Sequence, residues 1–368
     1  MINIILLHQT VADGDAIGND ISEMFRILKQ QGYQVSVYCE HQHSNGEMCF
    51  ITYNELLDKI KNPHNLIIYH HSIYWEKGEE IIKKSLCNVV VRYHNITPNY
   101  FFEEYSKRYY DTTTKGREQT RRLASYKRFR WLSDSLYNNN EILELGVDKT
   151  QTCVIPPFHK IELVSQIEPD YITLDLLLNS DDINILFVSR VAPNKGHLNI
   201  CYVANSYKKI FGDNFKVWVV GGFDDELRKY NESIFSLIHQ FNLENNITFT
   251  KKISPEELKS YFLGCDIFLC LSEHEGFGVP LIESQYFNLP VVAISSSAVD
   301  ETLGENQLVF DNFNDELIAS AINLISNNKQ TRDYLISKGK DNYNNRFSPK
   351  LLEEKFIDFI KTIEETSQ

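Results

Sequence analysis

Short runs of β-branched and apolar residues alternate with segments of helical periodicity along almost the whole chain. This alternation is typical of βαβ units, in which a helix connects two parallel strands of one sheet. The runs predicted to be strands in the first half are 3–7, 35–39, 66–70, 89–93, 129–133 and 152–155. Those in the second half are 183–189, 215–220, 247–250, 267–271 and 291–293. The two groups predict two parallel sheets rather than one.

Two sheets imply two domains, because a chain of 368 residues is longer than one hydrophobic core usually supports. The pair Pro156-Pro157 ends the first group of strands, and the polar stretch up to about Ser180 has no clean period, so it is predicted to be a linker. We place the boundary near residue 170, between a first domain of 1–170 and a second of 171–347. Residues 348–368 are predicted to form a helix that packs back on the first domain, since apolar residues recur there at helical spacing.

Charge and composition exclude several classes of protein. A formal net charge of −13 repels a phosphate backbone, which argues against a partner that is a nucleic acid. No stretch is apolar over the length of a membrane span, and the start lacks the basic residues of a signal peptide, so we expect a cytoplasmic protein. The 7 cysteines are odd in number and form no C-x-x-C pair, which indicates reduced thiols rather than disulfides or zinc ligands.

The loop after the first predicted strand is a candidate binding loop. In an open parallel sheet, ligands bind beyond the carboxyl ends of the strands. Here that position reads D-G-D-A-I-G-N, with Gly14, Asp15, Gly18 and Asn19 ahead of a helix predicted to start near Asn19. Glycines allow close approach of a backbone to a phosphate, although a plain turn has the same pattern.

A histidine and an asparagine, His94 and Asn95, follow the predicted strand 89–93. A histidine at a strand end can donate to, or orient, a substrate group at neutral pH. The alternative is a buried histidine whose hydrogen bonds are satisfied within the protein.

Two cations, Arg190 and Lys195, follow the predicted strand 183–189 across a proline turn that precedes a helix. A planar guanidinium and an ammonium together suit a diphosphate. Cations at a helix N-terminus oppose the helix dipole, so the arrangement is slightly unfavourable without an anion to bind. A solvated surface is the alternative. The next strand ends in Gly221 and Gly222, where a backbone can approach a ligand closely.

Two glutamates, Glu275 and Glu283, lie on either side of a glycine-containing loop in S-E-H-E-G-F-G-V-P-L-I-E, directly after the predicted strand 267–271. Pro280 is well placed as the first residue of a helix, so the free N–H groups of the helix start would face an anion. Carboxylates accept hydrogen bonds from vicinal hydroxyls, so the pair suits a ligand with a sugar at each end. The alternative is one carboxylate near a helix start and one in solvent.

This segment resembles the signature of glycosyltransferase family 4, whose two glutamates are separated by seven residues as here. The continuation F-N-L-P-V-V-A resembles the family's F-G-L-P-V-V-A, with Asn288 in place of glycine. Asparagine tolerates a left-handed turn, so the fold should survive the change. The segments F-V-S-R-V-A-P-N-K-G, G-D-A-I-G-N-D, Y-H-N-I-T-P, G-R-E-Q and S-D-S-L-Y-N-N-N-E-I-L also resemble the family, over roughly residues 1–345.

The resemblance implies an α/β protein with the GT-B fold, in which two Rossmann-like domains with parallel sheets face a central cleft. It also implies roles. Arg190 and Lys195 would stabilise the leaving diphosphate in place of a metal ion, Glu275 would contact the donor sugar, and His94 would orient sugar hydroxyls. Glu283 would hold the ribose. The remaining donor-binding residues would be Gly276, Phe277, Gly278, Val279, Gly221, Gly222 and Ile253, while Gly14, Asp15, Gly18, Asn19 and Asn95 would serve the acceptor side.

The expected activity is therefore a metal-independent, retaining transfer of a hexose from a nucleotide-diphospho-sugar to a glycan or lipid-linked acceptor, without a cofactor. GDP-mannose or a UDP-hexose is favoured as donor, and bacterial polysaccharide or lipopolysaccharide synthesis as the setting. The alternatives are a catalytically silent partner that binds sugar nucleotides, and a GT-B phosphorylase or epimerase.

A basic segment, residues 107–131, holds nine Lys/Arg and two acidic residues in a chain that is acidic overall. Tyr109, Tyr110, Tyr126 and Trp131 are interleaved with the charges. The segment could contact anionic lipid at the inner face of a membrane, or line the acceptor groove.

Overall fold

A computed structural model of the chain describes residues 2–44, 46 and 48–365. The chain divides into two compact units. The first unit contains the residues up to Asn99, Arg108–His159 and the segment from Phe347 onward. The second unit contains Tyr100–Lys107 and Lys160–Arg346.

The first unit is built on a parallel sheet with the strand order β3-β1-β5-β6-β7-β8. A second, two-stranded sheet pairs β2 with β4. The strands are β1 Asn3–Leu7, β2 Thr10–Ala12, β3 Gln34–Tyr38, β4 His41–His43, β5 Leu66–His71, β6 Asn88–Tyr93, β7 Phe129–Ser133 and β8 Thr152–Val154. The three-residue strands β2 and β4 were not predicted, because three residues are too few to show a period.

The second unit has its own parallel sheet, in the order β11-β10-β9-β12-β13-β14. Its strands are β9 Ile183–Val188, β10 Phe215–Val220, β11 Ile247–Lys251, β12 Ile267–Cys270, β13 Val291–Ile294 and β14 Leu308–Phe310. Strand β14 was not predicted; it is a half-buried edge strand of three residues. The two parallel sheets confirm the predicted α/β class with two Rossmann-like parts.

Helices connect the strands in both units. They are α1 Ala16–Gln30, α2 Tyr53–Lys59, α3 Glu76–Lys84, α4 Lys107–Ala124, α5 Leu136–Glu144, α6 Ile161–Gln166, α7 Tyr171–Leu178, α8 His197–Phe211, α9 Arg228–Gln240, α10 Pro255–Gly264, α11 Val279–Tyr286, α12 Val299–Leu303, α13 Asp315–Asn327, α14 Lys329–Arg346 and α15 Pro349–Glu365. None of the helices in the described ranges has the length and hydropathy of a membrane span.

The prediction of an irregular linker up to about Ser180 is wrong, and so is the predicted domain boundary near residue 170. This stretch forms α6 and α7, and both helices belong to the second unit, which begins at Lys160 rather than near residue 170. The reason is long-range hydrogen bonding to α10: Lys259 Nζ donates to the carbonyls of Ser165 and Ile167, and Ser260 Oγ donates to that of Asp170. Such partners are invisible to a local reading of composition.

The terminal helix α15 lies in the core of the first unit. Its side chains Leu352, Phe356 and Ile360 are fully buried beside residues of α1 and β1. Phe356 meets Phe158 edge-on, with ring centroids 5.4 Å apart. The chain therefore completes the first unit with its last helix, after the whole second unit.

The basic segment 107–131 is less available for lipid than its composition indicated. Trp131 is fully buried in the sheet, and Tyr126 stacks on Phe129 at 5.1 Å between ring centroids. Arg122 forms an ion pair with Glu79, with 2.8 Å between Nη2 and Oε2. The proposed membrane contact then depends on the exposed cations of α4, without those aromatic anchors.

Asn288 adopts a left-handed conformation, with φ at 60°. This agrees with the expectation that asparagine replaces the family's glycine in a turn. We predict that Asn288→Ala lowers the free energy of unfolding by about 1 kcal/mol, because a β-carbon without a local polar group is strained there. Asn288→Gly should change it by less than about 0.5 kcal/mol. Urea unfolding of both variants measures the difference, and equal losses would show that backbone strain is not the cause.

Candidate functional site

The predicted donor residues of the second unit gather at the carboxyl edge of its sheet. Strands β9 and β12 are neighbours, with Leu186 paired to Phe268. The loop after β9 therefore lies beside the loop after β12. This brings the basic loop and the glycine loop together, as the rule for open parallel sheets predicts.

Lys195 and Glu275 form the central contact between these loops. Lys195 Nζ lies 2.6 Å from Oε1 and 2.7 Å from Oε2 of Glu275. Both side chains are mostly buried, with 19% and 12% of their surfaces exposed. The pair places one cation and one carboxylate side by side at the edge of the sheet.

Asn194 holds the two loops in register, and sequence reasoning missed it. Its carbonyl oxygen accepts from the N–H groups of Glu273 and His274 at 2.9 and 3.2 Å. Its side-chain Nδ2 donates to the carbonyl of His274 at 3.1 Å. Gly196 completes the contact, since its φ is 71° and a β-carbon there would collide with the carbonyl of Leu271. Only the position of Asn194 between the two cations could have suggested this role.

The glycine loop leads into α11. Gly278 has φ at 89° and is the cap of the helix, which begins at Val279 with Pro280 as its second residue. Phe277 is buried, and its carbonyl accepts from Thr302 Oγ1 at 2.7 Å. Gly276 and Val279 lie on either side of these two residues and are partly exposed. Pro280 has no N–H group, and Leu281 donates its own to the Gly278 carbonyl at 3.0 Å. This end of α11 therefore offers an anion the N–H of Val279 and the positive end of the helix dipole.

Glu283 lies one turn into α11 and is partly buried. Its carboxylate forms no hydrogen bond or ion pair with any residue in the described ranges. Burial raises the pKa of this carboxyl to about 7, although the side chain keeps some contact with solvent. A buried carboxylate without a partner is unfavourable unless a ligand supplies donors.

Glu275 is positioned by a residue that the sequence did not indicate. Its backbone N–H donates to Ser297 Oγ at 2.7 Å. Ser297 has φ at 45°, in the left-handed region that a serine seldom adopts. Strain of this kind is common where a loop must hold a functional side chain.

Arg190 differs from Lys195 in its exposure to solvent and in its partners. It is exposed, and its guanidinium has no hydrogen bond or ion pair with the residues that the structure describes. Gly221 packs against the Ser189 carbonyl, so its missing side chain serves backbone packing, whereas Gly222 faces open space. Ile253 is half-buried in the loop after β11, the strand beyond β10.

In the first unit, the loop before α1 differs from the prediction at one point. The helix begins at Ala16 rather than near Asn19, because Asp15 caps it by accepting from the N–H of Gly18. A β-carbon on Gly18 would collide with the carbonyl of Ala12, so this glycine is needed for packing. Gly14, with φ at 83° and open space around it, is the glycine available to a ligand.

His94 follows β6 and is held at both ring nitrogens. Nδ1 lies 2.9 Å from Asp134 Oδ2, and Nε2 lies 2.9 Å from Nδ1 of His70. Burial lowers the pKa of His70 well below its usual value, so His70 is neutral. A contact between His94 and a sugar hydroxyl therefore requires exchange of the His94–His70 hydrogen bond.

A buried charge network lies behind His94, and sequence reasoning missed most of it. Arg92, fully buried, donates from Nε to Asp20 Oδ2 at 3.0 Å and from Nη1 to the Ile155 carbonyl at 2.7 Å. Its Nη2 lies 2.9 Å from Asp134 Oδ1. Asp134 thus connects Arg92 to His94. The motif S-D-S contained Asp134, but nothing local indicates that Asp20 and Arg92 meet.

Asp20, His70 and His94 also bring potential metal-ligand atoms within 4.8 Å of one another. The donor set does not fit a divalent ion well, because Arg92 already supplies a cation to Asp20. The remaining carboxylate oxygen, Oδ1, accepts from the N–H of Phe158 at 2.7 Å. The cluster is better described as a hydrogen-bonded charge network. The expectation of a reaction without metal stays a prediction.

Asn95 has a role within the first unit. Its φ is 70°, and Nδ2 donates at 2.9 Å both to Asn138 Oδ1 and to Glu141 Oε2. Glu141 also accepts from Arg117 Nη2 at 2.9 Å. Two segments that resemble the family, G-R-E-Q and S-D-S-L-Y-N-N-N-E-I-L, are thus joined at Glu141, which Asn95 also contacts.

Comparison with known proteins agrees with this geometry. Residues 174–342 match the model of a family described as glycosyl transferases group 1. Capsular polysaccharide biosynthesis glycosyltransferase CapM of Staphylococcus aureus is 25% identical over 242 residues, which are 64% of this chain and 60% of that protein. A GDP-mannose-dependent alpha-(1-6)-phosphatidylinositol monomannoside mannosyltransferase of Mycobacterium tuberculosis is 26% identical over 147 residues, or 38% of this chain and 37% of that protein. Each match thus covers less than two thirds of the relative.

A solved structure extends the similarity in fold to the whole chain. HepE of Anabaena, crystallised with UDP and glucose, has a TM-score of 0.76 and 16% sequence identity, over 98% of this chain and 100% of that one. Both the family model and the fold agree with the motifs of the donor loops. Residues 174–342 therefore match glycosyl transferases group 1, and the chain has the GT-B fold, in agreement with the resemblance found in its sequence.

Proposed function

We propose that this protein is a retaining glycosyltransferase that moves a hexose from a nucleotide-diphospho-sugar to a glycan or lipid-linked acceptor. The observation that carries the proposal is the Lys195–Glu275 pair beside the start of α11, at the carboxyl edge of one sheet. A cation, a carboxylate and the positive end of a helix converge there. Together they match the diphosphate and the hydroxyls of an activated sugar.

In this mechanism Lys195, Arg190 and the positive end of α11 stabilise charge on the leaving diphosphate. Glu275 accepts from hydroxyls of the donor sugar, and Glu283 accepts from the ribose. The leaving phosphate takes the proton of the acceptor hydroxyl while that oxygen bonds to the anomeric carbon on the same face. No metal ion and no cofactor are needed for these steps.

The donor is GDP-mannose or a UDP-hexose. A relative named as GDP-mannose-dependent supports the first, and a neighbour crystallised with UDP and glucose supports the second. The setting is the synthesis of a bacterial surface polysaccharide or lipopolysaccharide, which the name of the capsular relative supports. The reaction takes place in the cytoplasm, at the inner face of the membrane when the acceptor is lipid-linked.

A thermal-shift panel of UDP, GDP, ADP and dTDP sugars tests the donor, because a ligand that binds only the folded state raises the Tm. One nucleotide class is expected to stabilise the protein and its sugar to be slowly hydrolysed without acceptor, with the released sugar first appearing as the donor's anomer. Hydrolysis should persist in EDTA. Nucleotide binding with no turnover of any sugar would instead support a silent binding partner, and rescue by Mg²⁺ after EDTA would contradict the metal-independent mechanism.

A further inference from the structure

A cavity of about 370 Å³ opens in the first unit, and none of the residues assigned above lines it. It is lined by Gln9, Glu40, residues 74–77 and Glu80. Its volume lies in the range of small-molecule sites. The residues combine an amide, carboxylates, an ammonium and aromatic rings, which is the chemistry that binds sugar hydroxyls and sugar faces.

The cavity lies where the topology of the sheet predicts a ligand. Gln9 follows β1, Glu40 follows β3, and Tyr74 follows β5, and these three strands are adjacent. The chain leaves β1 for β3 on one side and later returns to β5 on the other, so this is the point where the strand order reverses. Open parallel sheets bind ligands at the carboxyl ends of strands at such a switch point.

The wall of the cavity is ordered by a carboxylate with two donors. Glu40 Oε2 accepts from Trp75 Nε1 at 2.6 Å, and Oε1 accepts from Lys77 Nζ at 2.9 Å. Lys77 is itself held over the ring of Tyr53, 4.5 Å from its centroid. Trp75 is buried, so its indole is held in place and fixes the position of the Glu40 carboxylate. Binding groups held in this way lose little entropy when a ligand arrives.

The charge of the lining selects among ligands. Among the lining residues, Glu40, Glu76 and Glu80 supply carboxylates and Lys77 supplies an ammonium. Glu80 also pairs with Lys84, with 3.1 Å between Oε2 and Nζ, and Lys115 Nζ lies 5.8 Å from the centroid of the Tyr74 ring. Carboxylates still outnumber cations on the lining itself, which disfavours an anionic group there. Neutral hydroxyls, in contrast, can donate to the carboxylates and pack on the partly exposed ring of Tyr74.

We propose that this cavity binds a neutral, polyhydroxylated sugar unit of the acceptor. That the bound sugar belongs to the acceptor rests on the proposed transferase function. That the cavity binds a neutral sugar does not. The proposal narrows the acceptor to one that presents an uncharged sugar, rather than a phosphate or a uronic acid, to the first unit.

Saturation-transfer NMR titrations of the full chain test the proposal, with the donor site filled by the nucleotide that stabilises it most. Methyl mannoside and methyl glucoside are the neutral probes, and glucuronic acid and glucose 6-phosphate are the anionic ones. We expect the neutral probes to bind at least about tenfold more tightly than the anionic ones. Tyr74→Ala and Glu76→Gln should each weaken the neutral probes about fivefold or more.

Glu144→Gln is the matched control, since Glu144 is an exposed carboxylate of the same unit outside the cavity. It should leave every dissociation constant unchanged. The double variant Glu76→Lys, Glu80→Lys should reverse the preference towards the anionic probes. Absence of neutral-probe binding, equal affinity in Tyr74→Ala and the parent, or tighter binding of the anionic probes by the parent would each overturn the proposal.

The two proposals fail in different ways. Suppose that the parent binds the neutral sugars, that Tyr74→Ala abolishes this binding, and that no nucleotide stabilises the protein. The proposal of a sugar-binding cavity would then stand, and the proposed transferase function would be rejected. Turnover of a nucleotide sugar without binding of the neutral probes would do the reverse.

Discussion

Arg190→Ala is expected to lower the turnover of the nucleotide sugar about a hundred- to a thousandfold, the loss typical when a group that stabilises transition-state charge is removed. The free energy of unfolding should change by less than about 0.5 kcal/mol. The contrast follows from the structure, in which Arg190 is exposed and its guanidinium forms no hydrogen bond or ion pair with a described residue. Steady-state hydrolysis or transfer, measured beside urea unfolding, separates the two effects.

Lys195→Ala is the variant to compare with Arg190→Ala. Both remove one positive charge, but Lys195 is mostly buried and paired with Glu275, whereas Arg190 is exposed. Removal of Lys195 leaves Glu275, with 12% of its side chain exposed, without a cation. Breaking a mostly buried pair from one side costs stability, since the remaining charge stays desolvated. Turnover and stability should therefore fall together in Lys195→Ala, and only turnover in Arg190→Ala.

Arg228→Ala is a suitable control, since Arg228 is a surface arginine of the same unit whose ion pair, among the residues that the structure describes, is with Glu232 on its own helix. It should match the parent in turnover and nearly match it in stability. If Arg190→Ala kept the parent's rate and nucleotide affinity, the guanidinium would not hold the diphosphate, and the donor site would need another cation.

The sequence predicted every strand of the two parallel sheets except the edge strand β14, and it predicted the position of the loops proposed to bind the donor. These features are local: apolar runs of strand length, and Gly and Pro at the ends of the strands. Arg190, Lys195, Glu275 and Glu283 each follow a strand directly or open the next helix, so the topology of a parallel sheet brings them to one edge.

Features that depend on long-range partners could not be predicted. Arg92 lies inside a strand and Asp20 inside a helix, 72 residues apart, and only the folded sheet makes them a buried pair. The same holds for the boundary at Lys160, which depends on hydrogen bonds from α10 to residues before it. Local composition favoured a linker there because it carries no information about those partners.

His94 illustrates the limit for a functional residue. Its place after a strand indicated a substrate contact, whereas the structure shows both ring nitrogens engaged by Asp134 and His70. Position on a sheet edge predicts which residues are near a ligand. It does not predict which hydrogen bonds those residues already make.

Glu283→Gln is expected to stabilise the ligand-free protein at pH 8 by up to about 3 kcal/mol, while changing little at pH 5. Burial raises the pKa of this carboxyl from 4.5 to about 7, so the folded state holds the proton more tightly than the unfolded chain. The contribution to stability is complete below about pH 4.5, is lost as the pH rises to about 7, and is constant above that value. A glutamine avoids the buried charge at every pH.

Urea unfolding at pH 5, 6, 7 and 8 measures this difference, with Glu305→Gln as the control because Glu305 is an exposed carboxylate of the same unit. The control should follow the parent at each pH. A parent and a Glu283→Gln variant with the same dependence of stability on pH would show that the carboxyl is not desolvated in solution.

The same proton connects stability to donor binding. Ribose hydroxyls that donate to Glu283 favour its ionised form, so nucleotide binding must release the proton that burial retains. Affinity for the nucleotide should therefore rise as the pH rises through about 7 and then level off. The Glu283→Gln variant should bind the nucleotide about tenfold or more weakly, because the amide cannot replace a charged acceptor. Its affinity should also lack the rise with pH that ionisation of Glu283 causes in the parent. Titration calorimetry at several pH values gives both the affinity and the protons released. A parent that binds nucleotide with no proton release between pH 6 and 8 would place the ribose away from Glu283.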